Sequence, residues 1–167
     1  FTGGSSNESH INGTEIAKGG VIFVSFNYRL GPFGFCSHPD LKDQNGVCGN
    51  YGLFDQYVAI KWIKDNIEAF GGNPNNITLM GQSAGAMSVD IHSSSKMEKN
   101  WFAGAIMSSG AAMQRLLIKP LKPEKTIKFW EEVMKNAKVQ SANDLKSIDP
   151  KTLYYAWFDA CNSTKFS

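Results

Sequence analysis

A serine between two glycines carries the clearest chemical signal in this sequence. Residues 79 to 88 read LMGQSAGAMS, which places Ser83 between Gly81 and Gly85 in a G-x-S-x-G pattern. An apolar run precedes the pattern and a helix-forming run follows it, a context that favours a nucleophile elbow. In such a turn the serine backbone is strained, and the flanking glycines remove side chains that would collide with the strand and the helix. We therefore predict that Ser83 is a nucleophile and that the N–H of Ala84 donates to an oxyanion.

A serine nucleophile needs a general base, and the histidines of this chain are poor candidates. His92 follows Ser83 by nine residues on the same predicted helix. A rise of ~1.5 Å per residue puts it about 13 Å away, beyond hydrogen-bond reach. His10 and His38 precede the serine, and we expect both to lie in surface loops. The spacing therefore indicates a nucleophile whose base is none of these three histidines.

Alternating apolar and helix-forming segments must position this serine. The β-branched run from Val21 to Phe26 is typical of a strand buried on both faces of a parallel sheet. Further strands are predicted at residues 77–81 and 102–109, and helices at residues 53–70, from Ala84 onward, and around 124–137, 142–147 and 150–158. Strands that alternate with helices at these intervals favour the α/β class, with a mostly parallel sheet flanked by helices.

The long predicted helix at residues 53–70 has apolar side chains over about two-thirds of its circumference. Such a helix is expected to be nearly buried. Asp55 falls inside the apolar arc, where an unpaired carboxylate would be costly, so it needs a hydrogen-bond donor or a cation. Arg29, after the first predicted strand, is the leading candidate for that partner.

Composition and charge narrow the classes of function. The 167 residues carry a net charge of +2 with Lys and Arg scattered along the chain, so no basic patch points to nucleic acid. No apolar run approaches the ~20 residues of a membrane-spanning helix. The chain begins without Met, a basic segment or an apolar segment, so we expect the N-terminus of the protein to lie upstream.

Cysteines and glycosylation sequons favour an oxidising compartment. Cys36 and Cys48 flank one loop, and a disulfide between them would close about a dozen residues; two free thiols are the alternative. Asn-x-Ser/Thr sequons begin at Asn7, Asn12, Asn76 and Asn162. This density favours glycosylation in the secretory pathway, although such tripeptides also arise by chance.

Three stretches resemble the type-B carboxylesterase and cholinesterase family of α/β-hydrolases. They read VIFVSFNYRLGPFGF, GNYGLFDQYVAIKWIKDNIEAFGGNPNNITLMGQSAGAMSV and AIMSSGA, within residues 1–113. The resemblance implies that residues 1–167 are part of one α/β-hydrolase domain, an N-terminal-half fragment truncated at both ends. Gln82 stands where the cholinesterases of this family usually have Glu, so the chain looks most similar to invertebrate esterases.

The family comparison also implies roles for residues around the serine. The FTGG of residues 1–4 typically follows His-Gly-Gly-Gly, whose N–H groups supply further oxyanion donors, so those donors would come earlier in the chain. Ser109 matches a serine that helps to hold the catalytic acid, and Arg29 and Asp55 match a structural ion pair. In this fold the acid and the histidine follow the nucleophile on later loops, so both would lie beyond Ser167.

The sequence is compatible with two functions. The first is a serine carboxylic ester hydrolase: Ser83 attacks a small-molecule ester, an acyl-enzyme forms, and water releases the acid without a metal or cofactor. The second is a catalytically inactive, cholinesterase-like adhesion or scaffold protein, since the family also includes members that bind partners. Such members generally lack the serine, so Ser83 favours the hydrolase. Without base and acid, residues 1–167 alone are expected to be inactive.

Overall fold

The computed structural model describes residues 1–44, 46–110 and 122–163. These residues group into two compact units. The first unit holds Phe1–Gly3, Arg29–Gly52 and the described residues from 122 onward. The second unit holds Gly4–Tyr28 and the described residues from 53 to 110, and therefore contains the candidate serine.

The second unit contains a parallel pair of strands. Strand β1 spans Thr78–Gln82 and strand β2 spans Gly104–Ser108. They pair in register, with Thr78 beside Gly104 and Gln82 beside Ser108. Two of the predicted strands and their parallel arrangement are thus confirmed.

Helices account for most of the remaining regular structure. In chain order they are α1 (Thr14–Lys18), α2 (Gly31–Phe35), α3 (Tyr51–Asn66), α4 (Ala84–Ser93), α5 (Pro123–Ala137) and α6 (Pro150–Cys161). Short 3-10 turns occur at Ser9–Ile11, Pro39–Leu41, Ile67–Phe70, Lys96–Glu98 and Asp144–Lys146. None of the helices in the described ranges is both long and apolar enough to cross a lipid bilayer.

Most of the predicted helices form. Helix α3 begins at Tyr51, two residues before the predicted start, and runs on through a 3-10 turn until Gly71, whose φ of 82° ends it. Helices α5 and α6 lie where they are predicted, each with a proline in its first turn, where the missing N–H is not needed. The helix predicted at residues 142–147 is only a 3-10 turn of three residues.

The strand predicted at residues 21–26 is absent. These residues pair with no strand in the described part of the chain. Val21, Ile22 and Val24 expose 54%, 45% and 43% of their surface. A strand exists through hydrogen bonds to a neighbour, and a β-branched composition cannot replace that neighbour.

Helix α3 is less buried than its apolar arc predicts. Phe54, Val58 and Trp62 expose 45%, 62% and 54% of their surface. On the opposite side of the helix, Gln56 and Ile60 are each only 3% exposed. The prediction of a nearly buried helix is therefore wrong for the described residues. None of these residues covers the face of α3 that carries Phe54, Val58 and Trp62.

The core of the first unit lies between helices α5 and α6, which pack against each other. Its buried members are Cys36, Leu41, Trp130, Val133, Ala142, Leu145, Leu153, Ala156 and Ala160. His38, expected at the surface, is only 7% exposed. It is buried because the loop that carries it contributes residues on both sides, Cys36 and Leu41, to this core.

The three cysteines are free thiols in this structure. Burial, followed by the proximity of Cys48, raises the pKa of Cys36 to about 12. Cys48 packs against the same core, and its Sγ lies 3.8 Å from the Ser37 Oγ. The disulfide between Cys36 and Cys48 therefore stays a prediction for the oxidised protein.

Thiol alkylation tests this arrangement. At pH 8 a pKa of about 12 leaves about 10⁻⁴ of Cys36 as the reactive thiolate. We expect iodoacetamide to modify the exposed Cys161 in the native, non-reduced protein and Cys36 only after unfolding. Peptide mass spectrometry before and after denaturation measures both. If Cys36 stays unmodified after unfolding without reductant, it is paired in the disulfide; rapid modification in the native state would contradict its burial.

Candidate active site

Ser83 occupies a sharp turn between strand β1 and helix α4. Its backbone has a φ of 52° and a ψ of −115°, a combination that non-glycine residues rarely adopt. Holding a residue in such a conformation costs on the order of 1–3 kcal/mol, so the surroundings must enforce it. The strand, turn and helix predicted around the G-x-S-x-G pattern are thus all present.

Two backbone hydrogen bonds fix this turn. The Ser83 N–H donates to the carbonyl of Ser108 at 2.8 Å, which extends the pairing of β1 and β2 by one residue. The Ser83 carbonyl accepts from the N–H of Met87 at 3.1 Å, at the start of α4. The sheet therefore holds the serine on one side and the helix holds it on the other.

Gly81 lets strand β1 and helix α4 approach each other closely. A Cβ on Gly81 would lie 2.3 Å from the carbonyl carbon of Gly85 and 2.8 Å from the Ala86 nitrogen. A Cβ on Gly110 would likewise lie 2.6 Å from the carbonyl oxygen of Ser83. Gly85 differs, since a Cβ there would meet no described atom within 4 Å. The expectation that both elbow glycines prevent collisions therefore holds only for Gly81 within the described residues.

The serine lies exposed at the carboxyl edge of the two strands. Both Gln82 and Ser83 are exposed, and α4 starts at the next residue, Ala84. N–H groups in the first turn of a helix lack acceptors within that helix and lie at the positive end of its dipole. They are therefore available to an anion at the sheet edge where ligands bind in α/β proteins.

Ser109 follows β2 in the way that Ser83 follows β1. Because Gln82 pairs with Ser108, the two serines leave adjacent strands at the same edge. Ser109 is exposed and also has a positive φ, 54°. The structure thus brings the two serines to one edge, while a role for Ser109 toward a catalytic acid stays a prediction.

His92 has partners other than Ser83. It lies in the last turn of α4, with Nδ1 2.9 Å from each carboxylate oxygen of Glu98 and Nε2 2.9 Å from Oε1 of Gln56. Both ring nitrogens are therefore occupied, as expected for a histidine that is not the base. The sequence alone does not reveal this network, because the network depends on which face of α4 is buried. His10 is exposed as predicted, 3.5 Å from a carboxylate oxygen of Glu8.

Arg29 and Asp55 lie in different units. The Arg29 guanidinium lies 5.5 Å from the centroid of the Tyr51 ring, a cation–π distance. Asp55 is half-buried on helix α3. The ion pair between Arg29 and Asp55 stays a prediction, and a measured separation of their charged atoms well above about 4 Å would contradict it.

All four sequon asparagines are exposed. The Asn12 Oδ1 accepts a hydrogen bond from the N–H of Thr14 at 2.9 Å. The amide nitrogen of Asn162 instead donates to the carbonyl of Phe158 at 2.9 Å. Exposure makes glycosylation sterically feasible at Asn7, Asn12, Asn76 and Asn162, and modification at these sites stays a prediction.

The architecture around Ser83 is that of an α/β-hydrolase. The structure superposes on a carboxylesterase of Geobacillus stearothermophilus with a TM-score of 0.82 and 34% identity, covering 93% of this chain and 34% of that chain. It has the parallel strands, the strand-to-helix turn and the flanking helices of this class. The chain is therefore part of an α/β-hydrolase fold, as its sequence predicts.

The model of the carboxylesterase family matches residues 1–156, and the chain belongs to that family. Human bile salt-activated lipase is 42% identical over 154 residues, which cover 87% of this chain and 19% of the lipase. Venom carboxylesterase-6 of Apis mellifera is 41% identical over 149 residues, covering 89% of this chain and 25% of that protein. The predicted family is thus confirmed; within it, the chain is about as similar to a vertebrate lipase as to an insect esterase. The chain spans only about a fifth to a quarter of the length of these two relatives.

The glycines on either side of Ser83 offer a matched pair of substitutions. We expect Gly81→Ala to destabilise the protein by about 1–3 kcal/mol, because the new methyl group overlaps the backbone of α4. Gly85→Ala should be neutral or stabilising by up to about 1 kcal/mol, since Ala favours the helix and meets open space. Thermal unfolding of the complete protein and both variants measures the difference. Equal effects of the two changes would contradict the close approach at Gly81.

Proposed function

We propose that the complete protein is a serine carboxylic ester hydrolase whose nucleophile is Ser83. The observation that carries this proposal is the strained, exposed backbone of Ser83 between β1 and α4, with its φ of 52°. A fold maintains such strain only against a cost, and strained residues cluster at functional sites. Membership of the carboxylesterase family supports the same assignment.

The reaction follows from the groups at this edge of the sheet. The Ser83 Oγ forms a bond to the ester carbonyl carbon while a general base takes the hydroxyl proton. The carbonyl oxygen becomes an oxyanion, which the N–H of Ala84 stabilises as one of its donors. The tetrahedral intermediate then breaks its bond to the alcohol oxygen, and the alcohol leaves with the proton. A water molecule attacks the acyl-serine by the same route and releases the carboxylic acid.

We place the general base and its carboxylate partner after Ser167. The order of the triad in this fold is serine, acid, histidine, and His92 is already engaged by Glu98 and Gln56. The remaining oxyanion donors are assigned to glycines that precede Phe1. In this proposal residues 1–167 are part of one α/β-hydrolase domain, and the substrate is a small carboxylic ester. The relatives include a lipase and a venom carboxylesterase, and these activities do not narrow that class of substrate further.

Substitution of the nucleophile tests the proposal. In the complete protein, Ser83→Ala should lower the hydrolysis of p-nitrophenyl butyrate on the order of 10⁶-fold, to the rate that binding and the oxyanion donors alone provide. An organophosphate should label Ser83, which peptide mass spectrometry detects. The peptide that contains residue 83 in the Ser83→Ala variant should stay unlabelled. Ser93→Ala, an exposed serine at the other end of α4, is the matched control and should keep full activity.

Residues 1–167 alone provide the second arm of this test. They should show no hydrolysis that depends on Ser83, because they lack the base and most oxyanion donors, and loss of one donor already costs about 10²–10³ in rate. Activity of this piece that disappears on Ser83→Ala would contradict our placement of the base. A folded complete protein without turnover or labelling would support the adhesion or scaffold alternative.

We also propose that the protein passes through the secretory pathway. Four exposed sequons support this localisation, and one relative is named for its occurrence in venom. Protein purified from a eukaryotic secretory host should lose mass on treatment with an N-glycosidase, with deamidation at one or more sequon asparagines. A mass that does not change would contradict glycosylation of this chain.

A further inference from the structure

A buried polar network holds the C-terminal end of helix α4. His92, Gln56 and Glu98 expose only 5%, 3% and 3% of their surface. The His92 ring contacts the Glu98 carboxylate through Nδ1 and the Gln56 side chain through Nε2, each at 2.9 Å. Buried polar groups are costly unless they are hydrogen-bonded, and here the ring is bonded on both sides. The network thereby ties α4 to α3 and to the 3-10 turn at Lys96–Glu98.

Tyr28 joins this network through Gln56. Burial raises the pKa of Tyr28, and its hydrogen bond with Gln56 partly lowers it again. The Gln56 Oε1 lies 2.9 Å from the His92 Nε2, and an amide oxygen can only accept, so this ring nitrogen donates. The Nδ1 on the other side of the ring contacts both carboxyl oxygens of Glu98. His92 is therefore held between Gln56 on α3 and Glu98 in the 3-10 turn after α4.

We propose that the hydrogen bonds of His92 to Glu98 and Gln56 position Ser83 for reaction, acting along helix α4. The proposal rests on the proposed function, since it assigns a role in placing the same nucleophile. Ser83 precedes the first residue of α4 and His92 lies in its last turn, so one rigid helix of ten residues joins them. A strained turn relaxes if the helix after it is free to shift. The network prevents that shift, because the His92–Gln56 bond links α4 to α3 and the Glu98 carboxyl group fixes the His92 ring in the orientation that this bond requires.

Side-chain changes that keep the size of the groups test this role in the complete protein. His92→Gln and Glu98→Gln should each lower kcat for p-nitrophenyl butyrate by about tenfold or more, because small displacements of a reacting group are costly. KM should stay unchanged, and the rate of organophosphate labelling should fall in parallel with kcat. His10→Gln, the same substitution at an exposed histidine, should change neither. The double variant should recover part of the loss, since two neutral amides can hydrogen-bond to each other at these positions and leave no buried polar group without a partner.

A purely structural role gives a different result. It would lower the melting temperature of the variants. At temperatures well below melting, however, kcat per organophosphate-labelled site would stay unchanged. This outcome would overturn the proposal. Glu98→Gln is nearly isosteric, so it provides the measurement even if His92→Gln does not fold.

Hydrogen–deuterium exchange separates this proposal from the proposed function. The backbone amides of Ser83 and Met87, which donate to Ser108 and Ser83, should exchange faster in Glu98→Gln than in the unsubstituted protein, and not in His10→Gln. If the unsubstituted protein is inactive but this change occurs, the hydrolase assignment fails and the positioning of Ser83 stands. Unchanged exchange at Ser83 and Met87 in the folded variant would overturn the positioning role, whatever the activity.

Discussion

The positive φ of Ser83 is the constraint on which the rest of the site depends. A serine in this conformation is stable only where neighbouring groups leave it no alternative, and here they come from both sides. Strand β2 accepts its N–H through Ser108, and helix α4 bonds its carbonyl through Met87. The close approach of Gly81 to Gly85 then closes the turn. The parallel pairing of β1 with β2 and the packing of α4 on both strands are what keep these groups in place.

The elbow could be predicted because its information is local. A pattern of five residues, with a strand former before it and a helix former after it, specifies the turn through backbone geometry alone. The different demands on Gly81 and Gly85 could not be predicted in the same way, because they depend on which backbone atoms approach each position. The position of Ser109 beside Ser83 depends on the register of β1 with β2, which pairs residues 26 positions apart in the sequence. The sequence pattern does not contain that register, so Ser109 could be identified only through resemblance to a family.

Segments whose structure depends on distant neighbours were predicted less well. The run at residues 21–26 has the composition of a buried strand, but composition does not supply the partner that a strand requires. The apolar face of α3 shows the same limit, since Phe54 and Trp62 are exposed although the helix itself forms. His38 is the opposite case, a polar residue in a polar loop that is buried because Cys36 and Leu41 beside it join a core.

Helix α4 shows why a polar network can serve better than an apolar contact at one end of a helix. Apolar burial is nondirectional, so a leucine at position 92 would stabilise the packing but would allow the helix to slide or rotate. Hydrogen bonds at 2.9 Å to Glu98 and Gln56 fix both the rotation of α4 and its position along the axis. Buried hydrogen bonds add only modest net stability, because they replace bonds that the same groups make with water. The contribution of this network is therefore geometric, and the geometry it preserves is that of the strained turn at the other end of the same helix.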